Sequence, residues 1–248
     1  MIQLNDYPGW KDWVQVRIAR TLYFDDAVQD SARLATEKEF VFPRELERQH
    51  AVVYQYLHLQ QTVETIKECE YYFRRYPFRG LPISRASHLT NICEMYFGRF
   101  YEFKERMKKY FEAIKAVSPD HNLDIGKFIR QYERIFDGEL RERHGVHHHS
   151  RFQDLGIDRV FLVEVTATGR DRIDTFANIV QYRKLAKEWT GRVRRRGEKI
   201  DEVLEAVADG TLRTCRFLAL NSLVATIAEC RGIDQSRHGV KRRRSITR

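Results

Sequence analysis

Between Phe100 and Val117 the apolar positions Phe100, Phe103, Met107, Tyr110, Ile114 and Val117 are spaced 3, 4, 3, 4 and 3 residues apart. A strand would scatter these side chains over two faces, whereas a helix gathers them into one stripe lasting more than two heptads. Such a seam must be buried, and it predicts a bundle of long helices. Ser84 suits the N-cap of this helix, and Ser118-Pro119 ends it. A second run precedes it: Val53, Tyr56, Leu57, Val63, Ile66, Cys69, Phe73 and Tyr76 predict a helix from about Pro43 to Tyr76, stopped by Pro77 and Gly80. Two long helices joined by a short turn pack antiparallel.

A third helix is predicted from Asp124 through Phe128, Ile129, Tyr132, Ile135 and Phe136 into Leu140. Arg159–Val165 (RVFLVEV) is rich in strand formers and fits either a lone strand or a buried helical turn. Asp171–Trp189 and Lys199–Ala208 read as two amphipathic helices separated by RVRRRG, and Leu212–Cys230 as a more buried one. The expected fold class is all-α. An N-terminal helical wrap (1–43) precedes an antiparallel bundle of long helices (44–150). A smaller, mostly helical, basic C-terminal part (151–240) and a basic tail without apolar periodicity (241–248) follow.

With 42% hydrophobic and 32% charged residues, 5 prolines and 13 glycines in 248, the composition is globular rather than disordered. The longest uncharged apolar stretch, Phe217–Ala228, has 12 residues, against the ~20 a membrane-spanning helix needs. Met1–Trp13 carries Asp6, Lys11 and Asp12 and has no apolar core, so no signal peptide is expected there. Cys69, Cys93, Cys215 and Cys230 form no C-x-x-C pair, which argues against structural zinc and disulfides and suggests reduced thiols in a cytoplasmic protein.

The net charge of +9 divides unevenly, +1 over residues 1–150 and +8 over 151–248. Polyanion contact is therefore expected toward the C-terminal side. Two basic runs are candidates for nucleic-acid binding, Arg194, Arg195 and Arg196 beside Arg192, and Lys241, Arg242, Arg243 and Arg244 in the tail. Arginines without a compact acidic partner suit phosphate backbones through counterion release. No Gly-rich phosphate loop, H-E-x-x-H or G-x-S-x-G occurs, so kinase, zincin and hydrolase chemistry lack support.

Four of the nine histidines fall within His144–His149, in the stretch LRERHGVHHH. Three chemistries compete. His144 with His147 or His148 has metal-ligand spacing, although only Glu139 and Glu142 stand near enough to complete a set, and no metal is expected. Alternatively the segment is a basic helix end whose cations meet the macrodipole. Finally, RNA cleavage by its own 2′-hydroxyl needs a base, an acid and a cation for the phosphorane. Histidine can serve either proton role at neutral pH, and arginine supplies the cation. Arg141 and Arg143 followed by His147 and His148 hold that combination. On the preceding helix His88, Asn91 and Glu94, then Arg99, Glu102 and Arg106, form a polar stripe that either is a satisfied surface or faces the histidines as part of a cleft, together with His144. His50, His58 and His121 show no sequence partners and read as structural.

An arginine and a following histidine with four to six residues between them, late in an antiparallel bundle of long helices, resemble the HEPN superfamily over roughly residues 44–150. Arg141 with His147, Arg143 with His148, or Arg141 with His148 fills the pattern. The resemblance implies a metal-independent endoribonuclease without cofactor, of toxin–antitoxin or antiviral defence type, dimerising so that two motifs share one cleft. Arg141 or Arg143 would bind phosphate, and His147 or His148 would transfer protons. RNA, a second copy and an antitoxin or defence protein are the implied partners. The rival expectation is a non-catalytic nucleic-acid-binding or defence-complex helical subunit.

Overall fold

The computed structural model describes residues 44–78, 82–148, 151–166 and 175–218. They form an all-α structure: α1 (Arg44–Arg74), α2 (Arg85–Val117), α3 (Ile125–Ile135), α4 (Asp137–His148), α5 (Leu155–Thr166), α6 (Phe176–Thr214) and a 3₁₀ turn at Arg216–Leu218. The N-terminal wrap, the basic tail and most of Phe217–Ala228 lie outside the described residues.

α1 and α2 form the expected antiparallel hairpin, as the ring pair Tyr56–Tyr110 near one end and Tyr76–His88 near the other require. Ser84 caps α2 as its sequence suggested, its Oγ accepting the Ser87 N–H at 3.0 Å. α6 runs antiparallel to α1, with Phe73 stacked on Trp189 at 5.2 Å and Lys67 paired with Asp201 at 2.9 Å. The three short helices α3, α4 and α5 follow one another along α2 as a fourth column, fixed by Phe128 on Phe111, Tyr132 on Phe103, Phe136 on Phe100 and Phe152 on Phe97. One continuous core joins these columns, so the basic C-terminal part contributes α6 to the same interior as the hairpin.

Three local readings need correction. The segment between Asp124 and Leu140 is two helices: the backbone leaves helical geometry at Phe136, and α4 restarts at Asp137-Gly138 while the Phe136 ring stays fully buried. Of the two readings of RVFLVEV the helical one holds, although the segment is most of a half-exposed α5 rather than a buried turn; the helix is started by Asp154, whose carboxylate accepts the N–H groups of Gly156 (2.8 Å) and Ile157 (3.1 Å). Its Glu164, 4% exposed, accepts the N–H groups of Arg85 (2.8 Å) and Ala86 (3.3 Å). A carboxylate there satisfies orphan donors of the first turn of α2 and meets the positive end of its dipole. Finally, α6 is one helix of 39 residues that runs straight through RVRRRG. Arginine is a good helix former, and the buried stripe Trp189, Val193, Ile200, Leu204, Val207 continues across the run. Gly197 does not break it because it faces α1, where an added Cβ would stand 3.3 Å from the Lys67 side chain.

Replacing Glu164 by alanine removes the acceptor shared by both N–H groups at the start of α2 and should lower unfolding stability by about 1–3 kcal/mol. Glutamine, whose amide oxygen still accepts, should recover part of the loss. Urea unfolding with an unchanged m-value reads both.

Candidate functional site

α4 carries the arginine–histidine motif, and Gly145 does not interrupt it: the helix continues to His148. A continuous helix sorts the motif by face. Asp137, Arg141, His144 and position 148 follow at steps of 4, 3 and 4 and share one stripe, whereas positions 143 and 147 share another. Of the three fillings of the pattern, Arg141 with His148, two turns apart, brings both positions to one face. The side chains of His147 and His148, and all of His149, lie outside the described residues.

The stripe forms one wall of a groove lined by Lys104, Glu133, Asp137, Leu140, Arg141, His144 and Gly145. Arg141 is exposed and donates to Asp137, a pairing that holds the Asp137 carboxyl below its usual range and raises the guanidinium further. Lys104, across the groove, donates to Glu133 at 3.4 Å. The Arg143 guanidinium lies 3.8 Å above the Tyr101 ring, over which Lys104 also stands at 5.0 Å. The ring faces attract both cations and hold them near the groove. Three cations and an exposed histidine thus stand within reach of one surface, with Tyr101, Lys104 and Glu133 as members that the sequence reading missed. Tyr101 and Lys104 stand just off the buried seam of α2, about 40 residues from the motif, and Glu133 belongs to the preceding helix α3, so no local pattern connects the three to it.

The polar stripe of α2 has a different task. His88 is buried against Tyr76, Phe78 and Tyr182, and its Nε2 reaches the carbonyls of Arg75 (2.9 Å) and Tyr72 (3.4 Å) at the end of α1. Asn91 accepts from Arg151, and Glu94 accepts the Phe152 N–H at 3.2 Å and Arg151 at 3.4 Å. These residues fasten the chain entering α5. His88 stands more than four turns of α2, about 24 Å, from Lys104. None of His88, Asn91 and Glu94 lines the groove. Glu102 does pair with Arg99 (2.5 Å) and Arg106 (2.6 Å) as its spacing suggested. His58 and His121 have partners that the sequence hid: Arg106 donates to the His58 carbonyl at 2.8 Å, and His121 Nδ1 accepts the Leu123 N–H at 3.0 Å.

The arginines of α6 are also partnered by residues remote in sequence. Arg194 donates to Glu70 at 2.8 Å, while Arg192 and Arg196 each donate to the fully buried Glu139 at 3.0 Å. Arg195 is exposed. The run therefore has acidic partners after all, supplied by α1 and α4. Lys241–Arg244 lie outside the described residues. Burial pushes the Cys69 and Cys215 thiols up to about 12, which leaves them poor nucleophiles. No three metal-ligating side chains converge among the described residues. No helix among them is long and apolar enough to cross a membrane.

Comparison with family models, with curated proteins and with solved structures gives no match.

Burial holds His88 below its ordinary value of 6.5, and burial together with the Arg106 charge does the same for His58. The folded chain then binds fewer of these protons than the unfolded chain, so stability falls as pH drops through and below about 6.5. The depressed carboxyls of Glu70 and Asp137 lose their contribution only at lower pH, below about 5. Urea midpoints should accordingly fall between about pH 7.5 and pH 5.5. His88→Gln, which keeps a donor for the Arg75 carbonyl, should be less stable at neutral pH but show a flatter pH profile.

Proposed function

We propose that this chain is a metal-independent endoribonuclease of HEPN type, acting in the cytoplasm on RNA as a homodimer and belonging to a toxin or antiviral defence system with its own antitoxin or defence partner. The observation that supports this most is the stripe Asp137–Arg141–His144–position 148 beside Lys104. Arg141, oriented by Asp137, offers a fixed positive fork to the scissile phosphate, and charge developing on the phosphorane strengthens that contact in the transition state. Histidine on the same face can take the 2′-hydroxyl proton or return one to the departing 5′-oxygen. The products are then a 2′,3′-cyclic phosphate and a 5′-hydroxyl, with no redox change and no metal in the step.

Pairing of two copies has a surface available to it. The seam Phe100–Val117 is already covered within one chain, and needs no second copy. The outer face of α5 instead exposes Leu155 (78%), Phe161 (53%), Leu162 (58%) and Val165 (58%). An apolar face of this kind favours association.

A second reading, a non-catalytic nucleic-acid-binding or defence-complex subunit, is favoured by one observation: Arg141 and Arg143 already have partners in Asp137 and Tyr101. Turnover separates the two. Arg141→Gln and His148→Ala should each slow cleavage of a labelled RNA by about 10²–10⁴-fold while the far-ultraviolet dichroism is unchanged, and EDTA should have no effect. Unaltered turnover in both variants, or cleavage abolished by EDTA, rejects the nuclease reading. Leu162→Asp should convert a dimer into a monomer by light scattering; a wild-type chain that is monomeric at micromolar concentration contradicts the shared cleft.

A further inference from the structure

Beneath the middle of α6 a single carboxylate serves two arginines. Glu139, 0% exposed, accepts from Arg192 and Arg196 on the same oxygen, Oε1, at 3.0 Å each. One negative charge therefore compensates two guanidiniums whose side chains are about two-thirds buried, at 34% exposure. Aromatic rings fix their positions: Arg192 lies 4.9 Å from the Trp189 centroid and 5.3 Å from Phe97, and Arg196 lies 5.8 Å from Phe136. Arg196 spends one further donor on the Ile135 carbonyl at 3.3 Å. A guanidinium has five donors, so both forks keep several for the solvent side.

That solvent side is concave. Arg192, Arg195, Arg196 and Lys199 line one depression, and Arg192 and Arg195 also line its neighbour, together with Arg159 of α5 and Trp189. The two share a wall and form one groove along α5 and α6. Carboxylates are present, but two are turned to the protein's own donors: Glu139 to the arginines above it, and Asp154 to the first turn of α5. Glu188 and Glu198 remain among the lining residues. Arg194 points elsewhere, to Glu70 on α1.

We infer that this groove is a phosphate-binding site, separate from the α4 groove, which takes a phosphodiester or pyrophosphate group between Arg159 and Arg195. Arg192 and Arg196 are held in place beneath it by Glu139. The forks of Arg192 and Arg196, fixed by a carboxylate and aromatic faces, present positive charge to phosphate oxygens at little ordering cost, and the exposed Arg159 and Arg195 close on the group from the two sides of the depression they share. The chemistry is the same whether the phosphate belongs to an RNA backbone or to a free polyanion.

The test is equilibrium binding of the full chain at low salt to two probes: a 2′-O-methyl oligoribonucleotide, which has no 2′-hydroxyl to attack and so reads binding independently of cleavage, and inorganic pyrophosphate. Arg159→Gln and Arg195→Gln should each weaken binding about tenfold, the loss of one charge-assisted contact. Arg194→Gln, the neighbouring arginine outside the groove, should stay within about twofold of wild type. Binding of the oligonucleotide alone assigns the site to a nucleic-acid backbone; saturable binding of pyrophosphate, displacing the oligonucleotide, assigns it to phosphate groups generally. No saturable binding of either probe overturns the inference. So does an Arg194→Gln loss equal to that of Arg195→Gln, or unaltered affinity in both groove variants. A catalytically dead but binding-competent chain leaves this site standing while rejecting the nuclease reading.

Discussion

Helix α2 carries more apolar surface than one neighbour can cover. From Leu89 to Phe100 its buried residues, among them Cys93, Tyr96 and Phe97, span nearly half of the circumference, and beyond Phe103 they narrow to the single seam ending near Ile114. The rest of the molecule follows from covering that rod: α1 lies along one flank, α6 along another, and α3, α4 and α5 in sequence along the remaining one. The polar positions beside that arc are met by the elements that cover it. This explains why His88, Asn91 and Glu94 are spent on fastening neighbouring backbone rather than on a cleft.

Glu139 links this packing problem to the candidate chemistry. It sits on α4 within two residues of Arg141, yet its carboxylate points inward to Arg192 and Arg196 on α6. A buried carboxylate is costly unless paired and hydrogen-bonded, and the two arginines provide both. The pairing fixes the rotation of α4, and that rotation sends Arg141 and His144 to the outer groove and Arg143 onto Tyr101. Two outward surfaces are thus set by one inward contact, the α4 groove on one side and the arginine groove of α6 on the other.

Periodicity carried the hairpin: the 3–4 spacing in α1 and α2 and the cap at Ser84 are local facts about helices, and the structure contains both. Local facts left the outcome open, or pointed the wrong way, where a tertiary contact decided it. RVFLVEV has strand-forming residues, but Asp154 caps it and Glu164 docks on the start of α2, so it is a helix. RVRRRG looks like a break, but its glycine is where α6 approaches α1, so the helix continues. The α4 motif was legible as a run of residue types, while the face on which each member stands was not, because that depends on Gly145 staying helical. Tyr101, Lys104, Glu70 and Glu139 were invisible as partners for the same reason: each pairs across the core with a residue dozens of positions away.

On the proposed function, RNA lies on the outer face of α4. Photo-crosslinking of the full chain to an oligoribonucleotide containing 4-thiouridine, followed by mass spectrometry of the peptides, tests it without requiring turnover. Crosslinks on the peptides containing Tyr101 and Arg141–His148 are the predicted result. Crosslinks confined to α6 or to residues 219–248, with none on α4, would contradict it.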